Sequence, residues 1–126
     1  MFDWLANPNR FNRITKKLQP FFLFIAVITL ISGLYFGLYD SPKDYQQGDA
    51  VRIMYVHVPS AWLATFLYFS LAISCVFYLV WKHPLADLVS SSIAPIGALF
   101  SALTLVTGSL WGKPMWGTWW VWDARL

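Results

Sequence analysis

The sequence predicts an all-α membrane protein with three transmembrane helices, and three observations carry that expectation. Hydrophobic residues fill 58% of the 126 positions and charged residues only 12%, whereas a soluble domain holds about 25% charged residues. Too few ionisable groups remain to cover a water-facing surface. Three stretches, 20–39, 60–81 and 88–112, contain no charge at all, and each reaches the roughly 20 residues that a helix needs to cross the hydrocarbon core. Lipid offers the backbone no hydrogen-bonding partner, so such stretches must pair their N–H and C=O groups internally, as helices do.

The chain divides accordingly. Residues 1–19 form a basic N-terminus carrying Arg10, Arg13, Lys16 and Lys17, and 20–39 are the first span. Residues 40–59 are a loop in which Lys43 and Arg52 are set against Asp40, Asp44 and Asp49. The second span is 60–81, a tight turn with Lys82 and His83 occupies 82–87, the third span is 88–110, and 111–126 is a tryptophan-rich tail. Lys and Arg are nearly balanced between the two sides of this arrangement. The dense basic cluster ahead of the first helix decides the orientation, placing the N-terminus in the cytoplasm and the 40–59 loop and the tail outside. The first apolar run lacks a small-residue cleavage site behind it and is read as a true span. The lone Cys75 excludes a disulfide framework within the chain. A net charge of +3 without a basic stripe gives no support to nucleic-acid binding.

Small residues mark where helices pack. Gly33 and Gly37 in the first span, and Ala94, Ala98 and Ala102 or Gly97 and Ser101 in the third, are spaced to let a second backbone approach. Pro95 is expected to bend the third helix, with neighbouring helices or Ser91 and Ser92 satisfying the freed carbonyl. Pro59 suits the first turn of the second helix, where a missing N–H costs nothing, and pushes Val58 toward an extended conformation.

Two constellations bear on chemistry. The tail WGKPMWGTWWVWDARL holds five of the eight tryptophans. Trp4, Trp62 and Trp81 fit an ordinary interfacial belt, but five indoles at one helix end exceed what a belt needs. Trp116, Trp119 and Trp120 would share a face if that stretch is helical, with Trp122 extending it. Gly112, Pro114 and Gly117 are expected to break the lead-in, leaving an indole shelf edged by Asp123 and Arg125. Asp123 has the plain alternative of pairing with Arg125 or capping. A flat apolar ring system gains most from several indole faces, and carboxylates on it would use Arg125, Lys113 or Arg52. A porphyrin with two propionates fits; so, less specifically, does a quinone head group or a sterol. The second constellation is YVHVPSAW, residues 55–62, which sets His57 on the same outer side. A lone His near a helix end is usually a hydrogen-bonding residue, and a neutral imidazole is also a common axial ligand of haem iron; both readings stand. His83 faces the cytoplasm. With no phosphate-cradling loop, no HExxH and no paired carboxylates, the chain is expected to act without being an enzyme.

The tail resembles the tryptophan-rich WWD signature of haem-handling membrane proteins. Its W-D-A-R-L ending, together with HVPSAW, resembles the CcmC family of the bacterial cytochrome c maturation system over nearly the whole chain. The resemblance implies an N-terminal half of a six-helix bundle in the bacterial inner membrane, holding haem b at the periplasmic surface. It implies presentation of that haem to the chaperone CcmE, beside the ABC transporter components CcmA and CcmB and the small protein CcmD. It makes His57 an axial ligand of the haem iron, and Trp111, Trp116, Trp119, Trp120, Trp122, Asp123 and Arg125 the haem-presenting surface. Family members continue through three more helices and bring a second outer His. The present sequence ends at Leu126 and is expected to be truncated, with half of a site. Two other classes stay open: a structural membrane subunit anchored by its Trp tail, and a quinone-site subunit of a redox complex.

Overall fold

The computed structural model describes residues 7–122; Trp4, Asp123 and Arg125 lie outside them. Helix α1 spans Pro8–Tyr35 and ends in a π-helical turn, Phe36–Asp40, while α2 spans Val51–Trp81 and α3 spans Pro84–Trp116. All three helices are long and apolar enough to cross a membrane, and no strand occurs among the described residues. The chain is an all-α, multi-pass membrane protein, as its composition predicts. Among the described residues no apolar side chain is buried, and large ones such as Phe24, Phe66 and Tyr68 stand open. That pattern belongs to a bundle whose solvent is lipid, where helices associate through packing and hydrogen bonds without a hydrophobic drive between them.

Local chemistry sets the ends of α1. The Asn7 side chain accepts the N–H groups of Asn9 and Arg10 at 3.0 and 3.4 Å, and Pro8 follows in the first turn, a sound helix start. At the other end Gly37 is buried, and a Cβ there would lie 3.0 Å from the Cβ of Tyr55. Gly37 is therefore where α1 meets α2. Gly33 faces open space, so only one glycine of the expected pair serves packing; the contact is confined to the π-turn. The guanidinium of Arg52 closes this corner, donating to the carbonyls of Leu38 at 3.0 Å and Ser41 at 3.3 Å. A cation there satisfies orphan carbonyls at a helix C-terminus and complements its dipole.

The connection to α2 is built locally. The Asp44 carboxylate accepts the N–H groups of Gln46 and Gln47, and Gly48 takes a positive φ of 57°, so the chain reverses. Helix α2 then begins at Val51, earlier than the uncharged stretch. This corrects two expectations: Pro59 sits inside the helix and Val58 is helical. The reason is that a helix packed against neighbours in an apolar setting tolerates an interior proline. Ser60, which is buried, donates to the Val56 carbonyl at 2.7 Å and so does not serve the Tyr55 carbonyl, the one Pro59 leaves without an N–H.

Helices α2 and α3 form an antiparallel pair packed along their length. Lys82 closes α2 in the left-handed region at φ 51°, its N–H donating to Tyr78, and Pro84 opens α3 directly after an extended His83. Gly97 meets Leu67 in this seam at ordinary contact distance, whereas Ala94, Ala98 and Ala102 face outward. Helix α3 runs on through Pro95. Ser91 and Ser92 do not serve the carbonyl freed there; their hydroxyls donate to Asp87 and Leu88, because a helical serine reaches back one turn along its own helix.

Two outcomes are expected. Arg52→Ala leaves the Leu38 and Ser41 carbonyls without their charged donor and lowers stability in detergent by about 1.5 kcal/mol, measured by thermal unfolding followed by circular dichroism. The Lys43 ammonium, 2.7 Å from Asp49, holds the Asp49 carboxyl below its usual range. A carboxyl depressed by folding supports the fold above its unfolded pKa, and that support disappears as pH falls through the lower, folded value. Acid titration monitored by NMR at Asp49 should show the ion pair intact at neutral pH and lost only below the ordinary carboxylate range.

Candidate functional site

The first turns of α2, the last turns of α3 and the tail meet at one end of the bundle, around a cavity of about 460 Å³. That volume lies within the roughly 300–1,000 Å³ of ordinary ligand pockets. His57 and Ala61 line it from α2, one turn apart; Thr104 and Gly108 line it from α3; Trp111, Trp116, Trp119 and Trp120 complete the wall. The fold therefore brings His57 and four of the five tail indoles to a single space. Trp122 is not on that wall. It is 86% exposed and touches the group edge-on through Trp120, ring centres 5.4 Å apart. Asp123 and Arg125 lie outside the described residues.

The indoles do not form the shelf that helical spacing suggested. Helix α3 persists through Gly112 and Pro114 and ends only at Trp116, where Gly117 caps it at φ 77°. Trp119 and Trp120 lie beyond the helix, so the i, i+3, i+4 face does not exist. A glycine in the left-handed region is the usual device for leaving a helix, and here it folds the chain back over α3. The Thr118 carbonyl comes 3.5 Å from where a Cβ on Gly112 would stand, an ordinary contact distance, and Gly112 is buried beneath it. The result is a cup.

Hydrogen bonds fix the walls. Trp111 packs edge-on against Trp116 at 4.8 Å, and its indole N–H donates to the Gln47 side-chain oxygen at 3.0 Å, tying α3 to the loop before α2. His57 is half-buried, and its Nδ1 lies 3.0 Å from the Thr107 hydroxyl. A Cβ on Gly108 would come 3.1 Å from the imidazole Cε1, so glycine lets the ring lie flat against α3.

The three candidate cations fare differently. Arg52 is committed to closing the α1–α2 corner, because its fork matches two backbone carbonyls there. Lys113 donates to the Gly117 carbonyl and stands 5.7 Å over the Trp119 ring. An ammonium has three donors, so Lys113 retains capacity for a carboxylate beside the cavity wall. Arg125 lies outside the described residues.

Sequence reasoning passed over Thr107, Gly108 and Gln47. The signal was present for the first two: Thr104, Thr107, Gly108 and Trp111 recur at helical spacing, a polar and small stripe on one face of an apolar helix. Gln47 had no local signal, since its partner lies far along the chain.

The donor set decides what the cup suits. Among the described residues no cluster of three or more His, Cys, Asp or Glu could hold a metal ion. His57 alone suits a metal that arrives with its own in-plane ligands, and indole faces suit a flat conjugated ring. A porphyrin fits on both counts.

Comparison with known proteins agrees. The family model described as "Heme exporter protein C", CcmC, matches residues 1–126. The chain is 53% identical to Heme exporter protein C of Haemophilus influenzae, over 100% of this chain and 52% of that protein. It is 48% identical to the protein of the same name from Escherichia coli K12, over 97% of this chain and 50% of that one. A Marchantia polymorpha mitochondrial protein named for cytochrome c biosynthesis and as ccmC-like is 57% identical, over 75% of this chain and 41% of its own. The chain thus spans about half the length of the curated relatives it matches.

Gln47→Leu is expected to cost about 1 kcal/mol by leaving the Trp111 N–H unpaired. The Trp111 indole proton should then exchange with solvent faster than in the unaltered protein, read by NMR in micelles.

Proposed function

The chain belongs to the CcmC family, and from that premise we propose that it holds haem b at the periplasmic face of the bacterial inner membrane. In this reading it presents the haem to the chaperone CcmE for cytochrome c maturation. One observation carries it: an imidazole from α2 and four indoles from α3 and the segment after it line one cavity.

Each residue has a physical task. His57 would hold the haem iron through a ring-nitrogen lone pair, and the haem would supply the flat apolar ring that the indoles cover. Trp111, Trp116, Trp119 and Trp120 exclude water from the porphyrin faces; every 100 Å² of apolar surface covered contributes about 2.5 kcal/mol. Lys113 would take a propionate; Asp123 and Arg125, which the family resemblance adds to this surface, lie outside the described residues. The chain acts as scaffold and ligand donor and catalyses no turnover of its own. Its N-terminus lies in the cytoplasm, as the basic cluster of Arg10, Arg13, Lys16 and Lys17 favours. It works in a membrane complex with CcmA, CcmB and CcmD.

The test is spectroscopic. Protein purified in detergent and supplied with haem should show a Soret band that falls sharply in His57→Ala, while Trp81→Ala, at the far end of α2, leaves it intact. A band indifferent to His57 would remove the ligand from this reading, and a protein that takes up no haem would leave the structural-subunit alternative.

A further inference from the structure

We propose that Thr107 is a positioning residue that holds His57 in the tautomer protonated at Nδ1, leaving Nε2 as the nitrogen that offers its lone pair to the cavity's ligand. The identity of that ligand rests on the haem reading; the tautomer does not.

The His57 Nδ1 and Thr107 Oγ1 are 3.0 Å apart, and either could be the donor. Thr107 has a single hydroxyl proton, and Oγ1 also lies 2.6 Å from the Leu103 carbonyl oxygen. Two oxygens that close attract only with a hydrogen between them, since both otherwise present lone pairs. The proton therefore points at Leu103, one turn back along α3. The Thr104 carbonyl, at 3.3 Å, is the weaker claimant for the same proton. Thr107 Oγ1 then has only lone pairs to turn toward His57, so Nδ1 must carry the hydrogen and donate it. In a neutral imidazole the other nitrogen is then bare.

Two more observations fit this assignment. Among the described residues no hydrogen bond engages Nε2, although the ring is half-buried and lines the cavity. On the α3 side, Gly108 leaves room for the ring edge that joins the two nitrogens, where a Cβ would crowd Cε1 at 3.1 Å. Thr107 and Gly108 thus act together: one fixes the proton, the other the ring's distance from the helix. A histidine that ligates a metal normally has its tautomer set in this way, by the bond its second nitrogen makes.

The experiment labels histidine with ¹⁵N in a His83→Gln background, which leaves one imidazole to observe, in micelles without haem. The expected spectrum has a protonated Nδ1 and a bare Nε2. Thr107→Val, which keeps the shape and removes the acceptor, should abolish that preference, and Thr107→Ser should restore it. In a parallel haem titration Thr107→Val should weaken binding on the order of 10-fold, with recovery in Thr107→Ser. A spectrum of the parent protein showing Nε2 protonated overturns the proposal without any Thr107 substitution. So does a titration in which Ser and Val variants fall equally, which marks packing alone. Nitrogen shifts that follow residue 107, combined with a Soret band indifferent to His57→Ala, overturn the haem reading and leave the Thr107 assignment in place.

Discussion

A polar group between apolar helices has no water to turn to, and this constraint organises the molecule. Every hydroxyl on the three spans with an assigned bond turns to a backbone carbonyl of its own helix: Thr29 and Ser32 on α1, Ser60, Thr65 and Ser70 on α2, Ser90 and Thr104 on α3. Thr107 obeys the same rule, but its oxygen also meets an imidazole from the neighbouring helix. The seam between α2 and α3 thus holds one polar contact that crosses it near the cup. Where such a contact survives in an apolar setting, it fixes register as well as energy, because sliding either helix by a turn would part the imidazole from the Thr107 oxygen.

Much of the fold was legible. Charge depletion and stretch length announce three helices, because the bilayer leaves the backbone no other solution. The site was legible by composition and not by shape. An excess of indoles and a nearby His mark the residues, and the structure does bring His57, Trp111, Trp116, Trp119 and Trp120 together. What failed was the geometry of the tail. Periodicity assumes that a helix continues, and the left-handed glycine at 117 ends it between Trp116 and Trp119. Pro59 misled for a related reason: its frequency at helix starts in water says little for a packed apolar helix, where an interior proline is tolerated. The assignment of Arg52 to a ligand was undone by a tertiary demand, the open carbonyls at the end of α1, which no local pattern announces.

The tryptophans divide by what their N–H groups and faces meet. Trp62 and Trp81 lie largely open on α2, as amphipathic rings at a membrane boundary do. Trp111 is held by a side-chain amide and by another indole. Such pinning spends conformational freedom before any ligand arrives, so the ligand need not order the wall itself.

The reversal at Gly117 also bears on how the cup comes to exist. The floor at Gly112, the bend, and the roof at Thr118 and Trp120 are consecutive in the chain, so closing them sacrifices very little freedom. Distant residues are joined by the pairing of α2 with α3 and by the Trp111–Gln47 bond beside it. Once those two helices zip together from their two-residue connection, the rim follows almost without entropic penalty, and the indole basket is complete as soon as its hairpin is.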